Sequence, residues 1–347
     1  MAQDGRRRVL VTGASGFIGG WIARGLHERG YAVRALYRRE RLPQQLAALA
    51  AAGVEVVRGD LGCEDEVRSA VRAQEAVVHA AGLVTDWGPK ELFRRQIVEA
   101  TQRLAAEARA AGCRVFLYIS SAAVHGFGPH HRSTEEGPYY APVSPYQTSK
   151  RLAEEAVLAA NASGFRTAVL RPADVYGPGD TTTFYHLLGG QERGIRATLG
   201  RGRRLTSVVY IEDLLQAVAL ALESEAAAGQ VFNITSGEQV SWGELMGYTA
   251  SLLGVHPWFE LPLPLGRALA GLLSGCYRLL GIRRAPPLTL YRWAHIAYDF
   301  DFSIEKARRL LGYSPQVGWR EGLRRMVAAY REDRAMARSQ RCSRNQG

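Results

Sequence analysis

The sequence predicts an α/β chain, a doubly wound parallel sheet with a smaller, mainly helical C-terminal substrate lobe. Three observations carry that expectation. Short runs rich in Val, Leu, Ile, Thr and Tyr alternate with Ala/Leu/Arg-rich helical patterns through the first two thirds, as parallel strands joined by helical crossovers do. A glycine-rich turn from Thr12 to Gly19, reading TGASGFIG, follows the first such run and opens a helical pattern. After Arg171 the alternation breaks down, and the C-terminal part is helical in pattern with interruptions at Pro257, Pro262, Pro264, Pro286 and Pro287.

Taken in order, Val9 to Thr12, Ala32 to Tyr37, Val54 to Arg58, Ala76 to His79, Val115 to Ser120 and Thr167 to Leu170 read as successive strands. Trp21 to Arg29, Glu64 to Ala73 and Val98 to Ala111 read as helices long enough to cross between them. Ser144 suits an N-cap and Pro145 the first turn of a further helix. Gly, Pro and Thr crowd Gly177 to Thr183; then a strand-like Val208 to Ile211 leads into a helix from Glu212, and Val231 to Ile234 reads as another strand. The expected division is a discontinuous dinucleotide-binding domain, 6–177 with 208–235, and a substrate-binding lobe, 178–207 with 236–330. A flexible polar tail is expected at 331–347.

A chain of 347 residues with 47% hydrophobic content can bury a large core. Cys63, Cys113, Cys276 and Cys342 are far apart and form no CxxC or Cys/His spacing, so neither disulfides nor a metal site are indicated and a reducing cytoplasm fits. The apolar run after Asp4 to Arg8 is too short for a signal sequence. The net charge of +11 suits an anionic partner. Its arginines are scattered, however, and short clusters such as Arg38-Arg39, Arg203-Arg204 and Arg283-Arg284 lack a nucleic-acid motif, so no nucleic-acid partner is expected. The apolar stretch Leu261 to Ile282 is broken by Arg267, Arg278 and glycines and cannot span a bilayer. A lid over an apolar substrate and plain core are its leading readings, with contact to a membrane surface third. A homodimer is left open.

Gly13, Gly16 and Gly19 allow a pyrophosphate to approach the backbone at a helix N-terminus, as in a Rossmann-type dinucleotide cradle. An NAD site usually carries Asp or Glu at the end of the second strand, but Tyr37, Arg38 and Arg39 stand there. A guanidinium can pair with a 2'-phosphate, so NADP(H) is the expected cofactor, with NAD(H) second. Asp60 and Leu61 end the third strand, where Asp60 would meet the adenine amine; Ala80, Ala81 and Gly82 end the fourth, beside the cofactor. Tyr146 and Lys150 lie at i and i+4 of the helix opened by Pro145, so phenol and ammonium share a face. A cation there would lower the phenol pKa and suit it to move a proton at a carbinol oxygen. The Tyr-x-x-x-Lys spacing alone also occurs on inert helix faces. Its weight here comes from the cradle and from lysine scarcity, since Lys90, Lys150 and Lys306 are the only three.

Together TGASGFIG, Gly59-Asp60-Leu61, HAAG (His79 to Gly82), SSAAVHG (Ser120 to Gly126), YQTSK (Tyr146 to Lys150) and LRPADVYGPGD (Leu170 to Asp180) resemble the extended short-chain dehydrogenases/reductases. This group is also called the NAD-dependent epimerases/dehydratases, and the resemblance runs from about Arg8 to Tyr330. It implies Ser121, Tyr146 and Lys150 as the catalytic set. It also implies Gly13, Ser15, Gly16, Phe17, Ile18, Gly19, Arg38, Asp60, Leu61, Ala80, Ala81, Gly82, Tyr146, Lys150, Pro172 and Val175 around the cofactor. The opening is most similar to the dihydroflavonol-reductase branch, which puts Ser15 and Arg38 at the 2'-phosphate. AGLVTDWG (Ala81 to Gly88), VVYIEDL, FNITSGEQVSW and APPLT are more similar to the 3β-hydroxysteroid dehydrogenase branch, which implies a small hydrophobic substrate and redox of a secondary alcohol or ketone. Trp87, His125 and Tyr176 are the candidate substrate residues, His125 being equally compatible with a structural role. Ile97 stands where the family usually has Asn, which alters the polar support of the site. The alternative function is a nucleotide-sugar epimerase or reductase, although Ala122 and Ala123 replace the acidic pair that dehydratases carry. The second alternative is a non-catalytic NADP(H)-binding protein.

Overall fold

The computed structural model describes residues 6–194, 197–256 and 259–344; Asp4, Pro257 and positions 345–347, named above, lie outside the described residues. Seven parallel strands form the main sheet. They are β1 (Arg8–Thr12), β2 (Ala32–Tyr37), β3 (Glu55–Arg58), β4 (Ala76–His79), β5 (Val115–Ile119), Arg166–Pro172 and Gln230–Ile234. From one edge the order is Gln230–Ile234, Arg166–Pro172, β5, β4, β1, β2, β3. The chain starts at β1 and builds outward in both directions, so the strand order reverses between β1 and β4. Ligands of open α/β sheets bind in the crevice at such a point, beyond the carboxyl ends of the strands. Here Thr12 of β1 is in register with His79 of β4.

Alternation along β1 shows why its central residues Val9, Leu10 and Val11 are all apolar. Val9 and Val11 pack on the side of helix α1 (Phe17–Glu28) and helix Ile211–Glu223, whereas Leu10 packs with Phe116, Leu104 and Val157 on the other. Both faces are covered, so the strands read as continuous apolar runs, and β5 is buried throughout. The run Val208–Tyr210 stays outside the main sheet and pairs in parallel with Asp174–Tyr176.

The lobe is organised around four short strands in the order Val240–Ser241, Leu205–Thr206, Phe300–Phe302, His130–Ser133. Since His130–Ser133 lies in the segment after β5, this small sheet ties lobe to sheet. Helices Leu263–Leu279 and Leu290–Ala297 complete the lobe near the crevice. The chain does not fray at Arg331, where the sequence suggested a tail: the last helix runs Trp319–Arg344. Ala, Arg, Glu and Met there are strong helix formers, and Arg331 donates to the Leu252 carbonyl at 2.7 Å.

Candidate active site

The glycine turn is a close backbone contact. Gly13 has φ +72°, and a Cβ there would lie 2.7 Å from the Ala81 nitrogen; a Cβ at Gly19 would lie 2.2 Å from the Gly13 oxygen. Gly16 caps α1 without any side-chain hydrogen bond, and no acidic residue lies in the first turn. The helix therefore presents unsatisfied N–H groups and its positive end to the crevice, and these residues fit a dinucleotide pyrophosphate. Ser15, Phe17 and Ile18 flank that end half-buried. Gly19→Ala should abolish cofactor binding, since the methyl must displace backbone; calorimetric titration of the purified variant checks this.

At the rim, Arg38 and Arg39 are exposed beyond β2. Asp60 accepts the Gly62 N–H at 2.8 Å, which fixes the turn after β3, and Leu61 offers its carbonyl to Arg103 at 2.8 Å. Pro172 and the half-buried Val175 follow the Arg166–Pro172 strand across the crevice.

Under the cradle runs a buried polar chain whose proton directions can be assigned. Thr101 donates to the Ile97 carbonyl at 2.6 Å, so its oxygen is left to accept from His79 Nε2 at 3.0 Å. His79 Nδ1 then accepts from the Thr12 hydroxyl at 2.7 Å, and that hydroxyl accepts the Ala81 N–H at 3.2 Å. Burial, with Lys150 nearby, pushes His79 down to about 3, which keeps the imidazole neutral as the chain requires. Ile97 lies in a π-helical turn, Arg94–Glu99, with its side chain buried in the core. At this position the chain offers a backbone carbonyl to the polar network.

Ser121, Tyr146 and Lys150 are brought together at the end of β5. Ser144 accepts the Tyr146 N–H at 3.2 Å and with Gln147 forms a capping box, so the helix Pro145–Ala159 starts where the sequence indicates. A Ser121 hydrogen bond acts on the Tyr146 phenol and lowers its pKa, but enclosure wins and pushes it up to about 12. Burial pushes Lys150 down to about 8, opposed by Glu154. Lys150 Nζ donates to the Ile119 carbonyl at 2.9 Å and lies 4.7 Å above the Tyr118 ring. The expected depression of the phenol by the ammonium is not what this geometry gives: enclosure and Glu154 raise the phenol, and the opposing influence is the Ser121 hydrogen bond. A Cβ on Gly82 would be 3.7 Å from Nζ, so Lys150 also faces the HAAG segment.

Two candidate substrate residues are corrected. His125 is fully buried, stacked on Tyr139 with centroids 4.7 Å apart; its Nε2 accepts from Arg171 at 3.1 Å and its Nδ1 donates to the Pro138 carbonyl at 3.4 Å. Burial and Arg171 push it down to about 3. Its role is to complete a buried network. Tyr176 is fully buried against Phe184 and Tyr210, with its hydroxyl on the Trp319 carbonyl at 3.3 Å, and cannot line a pocket. Trp87 is half-buried and donates to the Ile282 carbonyl at 3.3 Å.

Sequence reading missed three groups. Tyr291, on helix Leu290–Ala297, meets the Tyr146 ring edge-on at 6.3 Å. Asp86 fastens that helix in place through Arg292 at 3.1 Å and through Thr289, which caps it. Arg171 pairs with Glu154 by three hydrogen bonds, Nε to Oε1 at 3.0 Å and to Oε2 at 3.1 Å, and Nη2 to Oε2 at 2.7 Å. Asp86 and Arg171 lie within the AGLVTDWG and LRPADVYGPGD motifs and Glu154 sits one turn after Lys150, but nothing local marks their partners.

A dinucleotide cradle sharing its crevice with a Tyr/Lys/Ser cluster places the molecule in the class of nucleotide-dependent α/β enzymes. Comparison with known proteins narrows the class: residues 9–235 match the model of the NAD dependent epimerase/dehydratase family, and the chain belongs to it. Over 337 residues it is 32% identical to 2-alkyl-3-oxoalkanoate reductase of Stenotrophomonas maltophilia (strain K279a), covering 93% of this chain and 99% of that one. Over 336 residues it is 29% identical to the decarboxylating sterol-4-alpha-carboxylate 3-dehydrogenase of Mus musculus, covering 93% and 91%. The solved structure of MoeE5 in complex with UDP-glucuronic acid and NAD is similar at a TM-score of 0.75 and 27% identity, over 94% of this chain and 99% of that one.

Proposed function

We propose that this enzyme is an NADP(H)-preferring oxidoreductase that interconverts a ketone and a secondary alcohol on a bulky hydrophobic substrate of the β-keto acid or sterol type. The observation that carries it is the meeting of Tyr146, Ser121 and Lys150 at the end of β5, with the Tyr291 ring edge-on to Tyr146. That arrangement offers a proton donor beside an aromatic wall. Enclosure, opposed by the Ser121 hydrogen bond, keeps the Tyr146 phenol protonated at neutral pH, and it would donate that proton to the oxygen of a ketone being reduced. Ser121 would hold the same oxygen by a hydrogen bond. Lys150, on the same helix as Tyr146 and facing Gly82, would orient the nicotinamide ribose. The bound cofactor would supply the hydride. Ala122 and Ala123, both buried, offer no acid for a dehydration step. The names of the reductase and sterol dehydrogenase relatives support a substrate with an apolar skeleton.

The second reading, a nucleotide-sugar epimerase, draws on the similarity to MoeE5 bound to UDP-glucuronic acid. A panel separates them. Loss of NADPH absorbance is expected with 2-alkyl-3-oxo acids, ketosteroids or aryl ketones, and none with UDP- or dTDP-sugars. Epimerisation of a nucleotide sugar without net cofactor change would promote the second reading. The exposed Arg38, at the 2'-phosphate position, supports the NADPH preference. Arg38→Ala should narrow the NADPH-over-NADH gap by roughly 1.5 to 3 kcal/mol, the range for a charged hydrogen bond. Equal binding of NADH and NADPH by the unsubstituted enzyme in titration calorimetry would remove that role.

A further inference from the structure

We propose that the helix Leu263–Leu279 and the turn that follows it form a docking surface for an anionic lipid bilayer. The helix is packed in an inverted sense. Its buried positions are Gly266, Ala270 and Ser274, a stripe of small residues four apart, while four of its six leucines are exposed and Leu263 and Leu273 are half-buried. Gly266 has no room for a side chain, since a Cβ would come within 2.8 Å of Leu199 and 3.3 Å of Trp293. Leu265, Leu269, Leu272 and Leu279 then repeat along the solvent face at helical spacing, with Leu272 65% and Leu279 89% exposed, and Leu280 beyond them 72% exposed. Of the fifteen large hydrophobic side chains exposed among the described residues, seven fall between Leu265 and Leu290. Scattered apolar residues need no explanation, but a contiguous stripe does.

Charge decides the occupant. From 261 to 298 the sequence holds five arginines and no Asp or Glu; Arg292 is paired with Asp86, and Arg267, Arg278, Arg283 and Arg284 lie along the helix and the turn after it. Arg267 lies over the Trp293 ring at 5.5 Å and Arg278 over Trp87 at 5.3 Å, so cations and indoles flank the leucines as they do at a headgroup boundary. A second copy paired about a two-fold axis would set this all-cationic segment against itself. A bilayer with anionic headgroups complements both features, apolar stripe and positive flank. The helix does not cross: no helix among the described residues is long and apolar enough to span a membrane. The inference is independent of the activity proposed above.

The test is flotation of the full-length protein with vesicles of phosphatidylcholine, alone or mixed with phosphatidylglycerol. The protein should float with the mixed vesicles and poorly with phosphatidylcholine alone, and binding should weaken as salt screens the arginines. The double variant Leu269→Glu/Leu272→Glu should lose roughly tenfold or more in binding, since two exposed leucines then no longer enter the interface. Its thermal melt should match the parent because neither side chain is buried. Should that variant melt early, Arg283→Gln/Arg284→Gln tests the same surface and should also weaken binding to mixed vesicles. No flotation, or equal flotation of parent and both variants, overturns the proposal. So does a parent dimer in light scattering that the leucine variant dissociates while neither protein floats, which assigns the stripe to a second copy.

Discussion

Tyr146→Phe should lower turnover about 100-fold or more while leaving cofactor affinity nearly intact, because general acid-base catalysis supplies roughly 10² to 10⁴. The substitution removes one oxygen. The ring that meets Tyr291 edge-on is kept, as are the capping box at Ser144 and the packing of the helix Pro145–Ala159. What is lost is the only phenol that both receives the Ser121 hydrogen bond and lies one turn from Lys150. Lys150→Met should behave differently and damage both turnover and cofactor binding, since its ammonium faces Gly82 and the Ile119 carbonyl at the end of β5. Single-turnover rates and titration calorimetry on the two variants separate these outcomes. A Tyr146→Phe enzyme turning over like the parent would exclude the phenol as proton carrier.

Glu154→Ala should destabilise the fold by about 3–5 kcal/mol, the cost of leaving a buried charge without its partner. The Arg171 and Glu154 side chains are only 6% and 2% exposed, and the guanidinium also donates to the Glu135 carbonyl at 3.0 Å and the Tyr139 hydroxyl at 2.9 Å. Without the carboxylate the cation keeps its neutral acceptors but has no counter-charge in a dry site. Urea unfolding measures the loss. The double variant Glu154→Met/Arg171→Met should recover much of it, because burying apolar groups of similar size avoids desolvating two ions. A second readout follows from position. Glu154 opposes the burial that lowers Lys150, so its removal should take Lys150 further below about 8 and move the alkaline limit of turnover to lower pH. A loss under about 1 kcal/mol, the scale of an exposed pair, would show that the ion pair does not hold this region.

The strands, the cradle and the helix carrying Tyr146 and Lys150 were legible because each rests on local rules. Strands buried on both faces read as apolar runs, Gly13 must adopt φ +72° against the Ala81 backbone, and Ser144 with Pro145 marks a helix start wherever that helix packs. The same local view failed at His125 and Tyr176. Both sit in motifs beside the crevice, and only packing shows that Arg171, 46 residues from His125, and Trp319, 143 residues from Tyr176, draw them into the interior.

The sequence by itself determined the parallel sheet, the glycine turn at its switch point and the shared helix face of Tyr146 and Lys150, since local patterns suffice for each, whereas Ser121 was implied only by the family resemblance. Tertiary structure alone decided that Asp86 clasps Arg292 across 206 residues, that Tyr291 thereby meets Tyr146, and that Glu154 neutralises Arg171. It also decided that Leu265, Leu269, Leu272 and Leu279 of the helix Leu263–Leu279 face outward. Their pattern is amphipathic either way, and which face is buried depends on the close approach of Gly266 to Leu199 and Trp293. Contacts between distant segments carry no periodicity, so no local pattern can announce them.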